Sequence, residues 1–258
     1  MLVETISAEV ADLVRGLTDP VRSGRIAAPA ALEMDEGYRV QAAVFAALGC
    51  TVAAWKIGLT SEAAQHAHGT CTPAAGRLSA NALFRSGARV SPPPGEVYVE
   101  AELVVEMGSD LPHEKAPFDC EAVAAAIGPV YAAIEIASTR FADSDLCVGA
   151  LVADNCMADR LVIGDTLAHS WDTAFADCPV TLEVGSHTVV SGSTAAVMGN
   201  PLLAVAWLAN WLAGQGLGLE RGQRISTGTC TGITEAGAGD TVVACFVGLG
   251  SVTFDFTT

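Results

Sequence analysis

Basic residues are scarce in this sequence: 13 Lys and Arg stand against 29 Asp and Glu in 258 residues, a formal net charge of −16. Without a basic cluster a nucleic-acid partner is excluded, because phosphate recognition needs a cationic footprint. Charged residues make up only 16% and hydrophobic ones 51%, a balance that predicts extensive burial, subunit interfaces included. Long apolar runs are also missing. The longest stretch free of charge, Thr188 to Leu219, is broken by Gly199, Asn200 and Pro201. The roughly thirteen apolar residues that follow fall short of the twenty or so that span a membrane. Glu4, Glu9, Asp12 and Arg15 interrupt the N-terminus, so no signal peptide is expected and a cytoplasmic location is. Eight dispersed cysteines show no two-residue spacing; zinc knuckles and redox motifs are excluded, and small buried hydrophobes are expected. The nucleophile elbow, the phosphate loop and the dinucleotide-binding turn are absent too.

What is present is a change of texture near residue 50. Before it, Ile6, Val10, Leu13 and Leu17 share one helical face, and Tyr38, Gln41, Ala42, Phe45 and Leu48 form a second amphipathic run. After it come short β-rich runs, at 52–57, 97–107, 130–137, 180–184 and 241–246, punctuated by Gly and Pro. Two helices are expected among them, near 119–127 and over 201–213, the second with Asn200 as cap, Pro201 at its first position and Gly214 beyond its end. The organisation is a single domain over 1–258, with a mostly helical N-terminal portion to residue 75 and a β-rich metal-binding core from 76.

Alternation along 97–107 puts Glu100 and Glu102 on one face of a strand, roughly 7 Å apart. Alone, that pair is an ordinary solvated acidic face. Glu135 changes the reading, because Tyr131-Ala132-Ala133-Ile134-Glu135-Ile136-Ala137 holds no other charge and an unpaired buried carboxylate is costly. Either Arg140 or a metal ion must compensate it. Three convergent carboxylates form an all-oxygen site suited to Mg²⁺ or Mn²⁺. Lys56 ends the apolar run Val52-Ala53-Ala54-Trp55. It is either a snorkelling surface lysine or the cation that an anionic substrate needs beside such a site. His66 and His68 form an H-x-H pair with no further histidine nearby, which reads as surface or as support to a site. Asp154-Asn155 alone reads as a turn.

Taken together, several segments resemble the 2-keto-4-pentenoate hydratase and 4-oxalocrotonate decarboxylase branch of the fumarylacetoacetate hydrolase superfamily. They are Tyr38-Arg39-Val40-Gln41, Trp55-Lys56-Ile57-Gly58-Leu59-Thr60-Ser61, Glu100-Ala101-Glu102-Leu103, Ala133-Ile134-Glu135-Ile136, Val152-Ala153-Asp154-Asn155, Gly199-Asn200-Pro201-Leu202 with Ala206-Trp207-Leu208-Ala209-Asn210, and Gly239-Asp240 with Gly248-Leu249-Gly250-Ser251-Val252. The resemblance implies an α+β fold in which a helical N-terminal segment leads into a mixed β-roll core, assembled as a homo-oligomer. It implies that Glu100, Glu102 and Glu135 carry Mg²⁺ or Mn²⁺ and act with Lys56 in catalysis, and that Lys56, Leu59, Ser138, Asp154 and Asn155 meet a small 2-oxo acid substrate. The implied reaction is hydration of 2-hydroxypenta-2,4-dienoate to 4-hydroxy-2-oxopentanoate, or decarboxylation of 4-oxalocrotonate or a related 2-oxo dicarboxylic acid. A carbon-carbon bond hydrolase and a non-catalytic binding protein of the same fold are further alternatives. Three positions depart from the hydratase pattern: Ala74 stands where an aspartate is usual, and Cys156 and Met157 where Ala-Ser is usual.

Overall fold

The computed structural model describes residues 8–18, 25–143, 145–186 and 188–258. In chain order the helices α1 (Ala8–Thr18) and α2 (Met34–Ala47) come first, followed by β1 (Ala54–Gly58), α3 (Glu62–Ala67), β2 (Ala74–Leu78), β3 (Leu83–Arg85) and β4 (Ala88–Val90). The long strand β5 (Tyr98–Met107) precedes α4 (Cys120–Ala126), β6 (Ile127–Ala137), α5 (Val148–Ala153) and β7 (Ala158–Ala168). Then come β8 (Pro179–Val184), β9 (Thr188–Ser193), α6 (Pro201–Ala213), β10 (Arg224–Thr229), β11 (Thr234–Glu235), β12 (Thr241–Phe246) and β13 (Gly250–Phe256). No helix among the described residues is long and apolar enough to cross a membrane.

Two mixed sheets carry the molecule. The larger has the order β2-β1-β10-β5-β6-β7-β3, with β11 paired to β5; the smaller has the order β4-β13-β12-β8-β9. Valine is the commonest residue of the paired runs, as a half-buried pleated surface favours. Val97, Val99, Ala101, Leu103 and Val105 on one face of β5 enter the main core with Leu182, Phe246 and Phe254 of the smaller sheet. α6 is apolar nearly all round and lies in that same core, where Leu202, Val205, Leu208 and Leu212 are buried. Its start follows the sequence reading, since Asn200 Oδ1 accepts from Leu202 N at 3.0 Å ahead of Pro201. Gly214 closes it with φ −60°, not in the left-handed form.

The sheet does not wait for residue 76: β1, inside the portion expected to be mostly helical, already pairs with β2 and β10. The buried face of α2 also differs from the expected stripe. Gly37, Val40, Gln41 and Val44 are its buried residues, whereas Ala42 and Leu48 are exposed. The cause is a close approach to α5, in which a Cβ on Gly37 would lie 2.3 Å from the Gly149 carbonyl oxygen. Side-chain hydrophobicity carries no sign of such a contact. Gln41 Nε2 then donates to the carbonyls of Ala75 and Val152 at 2.8 and 3.0 Å, and the Ala75 N–H donates to the Tyr38 hydroxyl at 2.9 Å, fastening α2 to β2 and α5. Ile6, expected on the first helical face, lies outside the described residues. Of the eight cysteines only Cys156, Cys178 and Cys230 are buried, and Cys71 and Cys245 are exposed.

Candidate metal and substrate site

Antiparallel pairing sets Glu100 directly opposite Glu135 between β5 and β6, and period two puts Glu102 on the same face as Glu100. All three are buried, with a ligand oxygen from each lying within 4.8 Å of the others. Glu102 is held by its Oε2, which accepts from Ser226 Oγ at 2.6 Å and from Gly228 N at 3.0 Å. Gly228 sits at φ +121°, and a Cβ there would lie 2.4 Å from Thr60 Oγ1, so only glycine brings this N–H to the carboxylate. Glu102 Oε1 and Glu135 Oε2 are buried with neither a hydrogen-bond nor an ion-pair partner among the described residues.

Lys56, on β1, reaches the same point. Its Nζ lies 3.0 Å from Glu135 Oε1, with the two side chains 6% and 0% exposed. Burial works to discharge the ammonium, but Glu135 first, then Glu100 and Glu102, outweigh it and raise its pKa above the ordinary lysine value. Lys56 is therefore no snorkelling surface residue. Burial lifts Glu100 to about 7, the charge on Glu135 adding to the effect and Lys56 opposing it. Glu102 is raised well above the usual carboxylate range, by burial and then by Glu135 and Glu100.

Three carboxylates and one ammonium sum to −2, so a divalent cation would neutralise the group. Orphaned buried carboxylate oxygens gathered on one face are also the hard-oxygen donor set that Mg²⁺ or Mn²⁺ takes. The residues fit such an ion.

A cavity of about 470 Å³ opens beside this cluster, lined by Lys56, Glu100 and Tyr98 together with the apolar side chains of Leu59, Leu151, Met157 and Ile233. Leu59, Cys156 and Met157 reach it from left-handed backbone, with φ of 55°, 54° and 60°. Strain of this kind in non-glycine residues gathers at functional sites. The sequence singled out Leu59 but not Tyr98, Ser226 or Gly228, although a glycine inside a strand run does signal close backbone approach.

Three expected substrate contacts are not in this cavity. Asp154 instead accepts from Thr139 Oγ1 at 2.6 Å and from Arg140 N and Nε at 2.9 and 2.6 Å. Asn155 Oδ1 accepts from Arg77 N at 2.7 Å while its Nδ2 donates to Arg77 O at 2.8 Å. Ser138 Oγ donates to the Glu96 carbonyl at 3.0 Å. All three line a separate cavity of about 210 Å³. Arg140, engaged by Asp154, is not the counterion of Glu135; Lys56 is. His68 lines the substrate-sized cavity, and His66 is exposed.

Comparison with known proteins agrees with this geometry. The fumarylacetoacetate (FAA) hydrolase C-terminal family matches residues 45–257. A 2-keto-4-pentenoate hydratase of Burkholderia vietnamiensis is 34% identical over 206 residues, covering 78% of this chain and 77% of the relative. A 4-oxalocrotonate decarboxylase of Pseudomonas putida is 34% identical over 134 residues, 52% of this chain and 51% of its own. Among solved structures, 4-oxalocrotonate decarboxylase from Pseudomonas putida G7, complexed with magnesium and adipate, superposes with a TM-score of 0.88 at 28% identity, covering 98% of this chain and 99% of that one. The match over most of the chain and the conjunction of strand-borne carboxylates establish that this chain belongs to the fumarylacetoacetate hydrolase superfamily, in its 2-keto-4-pentenoate hydratase and 4-oxalocrotonate decarboxylase branch.

Proposed function

We propose that this chain is a Mg²⁺- or Mn²⁺-dependent lyase that hydrates 2-hydroxypenta-2,4-dienoate to 4-hydroxy-2-oxopentanoate, with Glu100, Glu102 and Glu135 as the metal ligands. The observation that carries the reading is a buried carboxylate triad and Lys56 beside a cavity that holds no other lysine or arginine among its described lining residues. When bound, the ion supplies a Lewis acid for the substrate's carboxylate and 2-oxo oxygens. Lys56 stays an ammonium, binds the anionic end of the substrate and stabilises negative charge developing on the C2 oxygen. A lysine whose pKa is raised is a poor amine nucleophile, so it forms no Schiff base. Leu59, Leu151, Met157 and Ile233 give the rest of the pocket an apolar lining for the substrate's carbon chain. The Cys156 thiol, pushed up to about 12 by burial, stays neutral and takes no nucleophilic part.

The second reading is decarboxylation of a 2-oxo dicarboxylic acid, favoured by the similarity to the 4-oxalocrotonate decarboxylase structure over nearly the whole chain. A second carboxylate would find no lysine or arginine besides Lys56 among the described lining residues, and burying a charge without a cation is costly. Hydration of a monoacid avoids that cost. Incubation with Mg²⁺ and either 2-hydroxypenta-2,4-dienoate or 2-oxo-3-hexenedioate, followed by NMR, separates the two. Consumption of the second compound alone, with CO₂ released, overturns the hydratase reading.

The finer fold description, an α+β β-roll with a docked helical front, belongs to the same proposal, supported by the two mixed sheets and by α1 and α2. So does a homo-oligomer, supported by exposed Leu203, Leu217, Val247 and Leu249; light scattering that returns a monomer mass overturns it. A cytoplasmic location is supported by eight cysteines kept as thiols.

A further inference from the structure

The histidine pair in the sequence has no task in the scheme above, and the fold separates its two members. His66 is exposed, whereas His68, the C-terminal cap of α3, is half-buried on the wall of the cavity that holds Lys56 and Glu100. Its Nδ1 lies 3.3 Å from the Leu146 carbonyl oxygen. A carbonyl can only accept, so Nδ1 carries the proton, and in the neutral ring the lone pair is on Nε2. Nε2 has no hydrogen-bond or ion-pair partner among the described residues.

Addition of water across a carbon-carbon double bond needs a group that takes a proton from the water. The rest of the cavity offers few. Lys56 is held protonated, and Glu100 belongs to the ion site. The Cys156 thiol is neutral and its Sγ turns to the Ala75 carbonyl at 3.4 Å. Thr229 Oγ1 donates to the Gly232 carbonyl at 3.1 Å. Position 74, where a carboxylate could have served, is Ala74, packed against Val152 and Cys156. An imidazole with a fixed tautomer and an open Nε2 has the matching chemistry, because its ring nitrogen offers a lone pair that can take a proton.

We infer that His68 is the general base of hydration, an assignment that rests on the hydratase reading. 2-Hydroxypenta-2,4-dienoate first ketonises, its C2 hydroxyl proton leaving to solvent as a solvent proton adds at C5 to give the 2-oxo-3-enoate. Nε2 then takes a proton from water as the water oxygen bonds to C4. The π pair of C3=C4 moves into C2–C3, and the C2 carbonyl pair moves onto its oxygen beside Lys56. Nε2–H then returns its proton to C3 as the enolate reverts to the ketone. One water is added, the imidazole ends neutral, and no oxidant or reductant is needed.

Two measurements test the role. First, His68→Gln and His66→Gln are compared with wild type for hydration kinetics and for pyruvate affinity by calorimetry with Mg²⁺ present. General-base loss typically costs about 10²- to 10⁴-fold. His68→Gln should therefore lose about 100-fold or more in kcat, with KM and pyruvate affinity within about threefold, and His66→Gln should match wild type. Second, ¹⁵N NMR of histidine-labelled, metal-free protein should show His68 as the Nδ1–H tautomer with Nε2 unprotonated. A His68→Gln enzyme within about threefold of wild type in kcat, a loss of pyruvate affinity parallel to the loss of kcat, or an Nε2–H tautomer overturns the assignment of His68 alone. Wild-type protein that binds Mg²⁺ and pyruvate yet does not hydrate the dienoate overturns the hydratase reading, and the role of His68 with it.

Discussion

Lys56 Nζ lies 3.0 Å from Glu135 Oε1 although three strand-to-strand steps, through β10 and β5, separate β1 from β6. In a flat sheet those steps span roughly 14 Å. The large sheet is curled, since β2 and β7, five steps apart in its order, also come into contact, and the curl turns one face into a pocket where charges from distant strands converge. It also makes the pair reciprocal: each side chain is the other's compensation for being buried.

Removing one member leaves the other exposed to the full cost. Lys56→Met should destabilise the chelator-treated protein by about 3–5 kcal/mol, the usual penalty for breaking a buried pair, and Mg²⁺ should recover much of that loss. Thermal melts with EDTA and with Mg²⁺ measure it. Equal melting temperatures for variant and wild type in EDTA would show that the pair carries no such weight.

Glu135→Gln should lower Mg²⁺ affinity by at least about 100-fold and abolish turnover with it, because one charged ligand and the counterion of Lys56 go together. Ser226→Ala, which removes only one hydrogen bond to Glu102, should cost about 10- to 100-fold in affinity, the range for groups that orient a ligand. Isothermal calorimetry ranks the two. A larger effect from Ser226→Ala than from Glu135→Gln would contradict the assignment of the ligands.

In the metal-free protein the Glu100 carboxyl is raised from 4.5 to about 7, by burial first. Between those values the folded state holds a proton that the unfolded state has released, so stability falls as pH rises through this window, and Glu102, raised by the same burial, adds to the fall. The loss is on the order of 3 kcal/mol. Chelated protein should melt at a lower temperature at pH 8 than at pH 5, and saturating Mg²⁺ should remove or reverse the difference. Calorimetric scans at the two pH values, with and without Mg²⁺, decide it.

Ser138, Asp154 and Asn155 make their hydrogen bonds within the protein and line a different cavity. Ser138→Ala should accordingly leave kcat/KM within about threefold. Asp154→Ala, which removes the hydrogen bonds from Thr139 and Arg140 but leaves a partly exposed Arg140 free to reach water, should lower the melting temperature by an amount equivalent to about 1–3 kcal/mol while leaving KM for a folded sample nearly unchanged. A raised KM without loss of stability would restore a substrate contact at Asp154.

The carboxylate cluster was legible in the sequence because alternation on β5 and a single charge within an apolar strand are local patterns: Glu100, Glu102 and Glu135 could be grouped by chemistry before their strands were paired by register. Lys56 was legible as an unusual charge but not as the partner of Glu135, because that contact depends on curling of the sheet. The buried face of α2 was missed since a glycine-to-glycine approach, Gly37 on Gly149, leaves no hydrophobic stripe. Asp154 and Asn155 were singled out from a family pattern, and a pattern does not tell which cavity a side chain lines. His68 was passed over because an H-x-H pair on a short helix looks solvated until Leu146, far along the chain, supplies the carbonyl that orients it.

The curled sheet also sets when the site can exist during folding. Lys56 and Glu135 come from well-separated segments, and β10, which lies between β1 and β5, is made near the end of the chain. No early local structure can hold the ion, so the ligands assemble only after the long-range pairings have closed. An ion that binds after the folding barrier stabilises the native side without lowering the barrier from the unfolded side. Refolding from denaturant should run at the same rate with or without Mg²⁺, while unfolding slows in its presence. Once the chain is complete, the triad acts as a latch on the native state rather than as its nucleus.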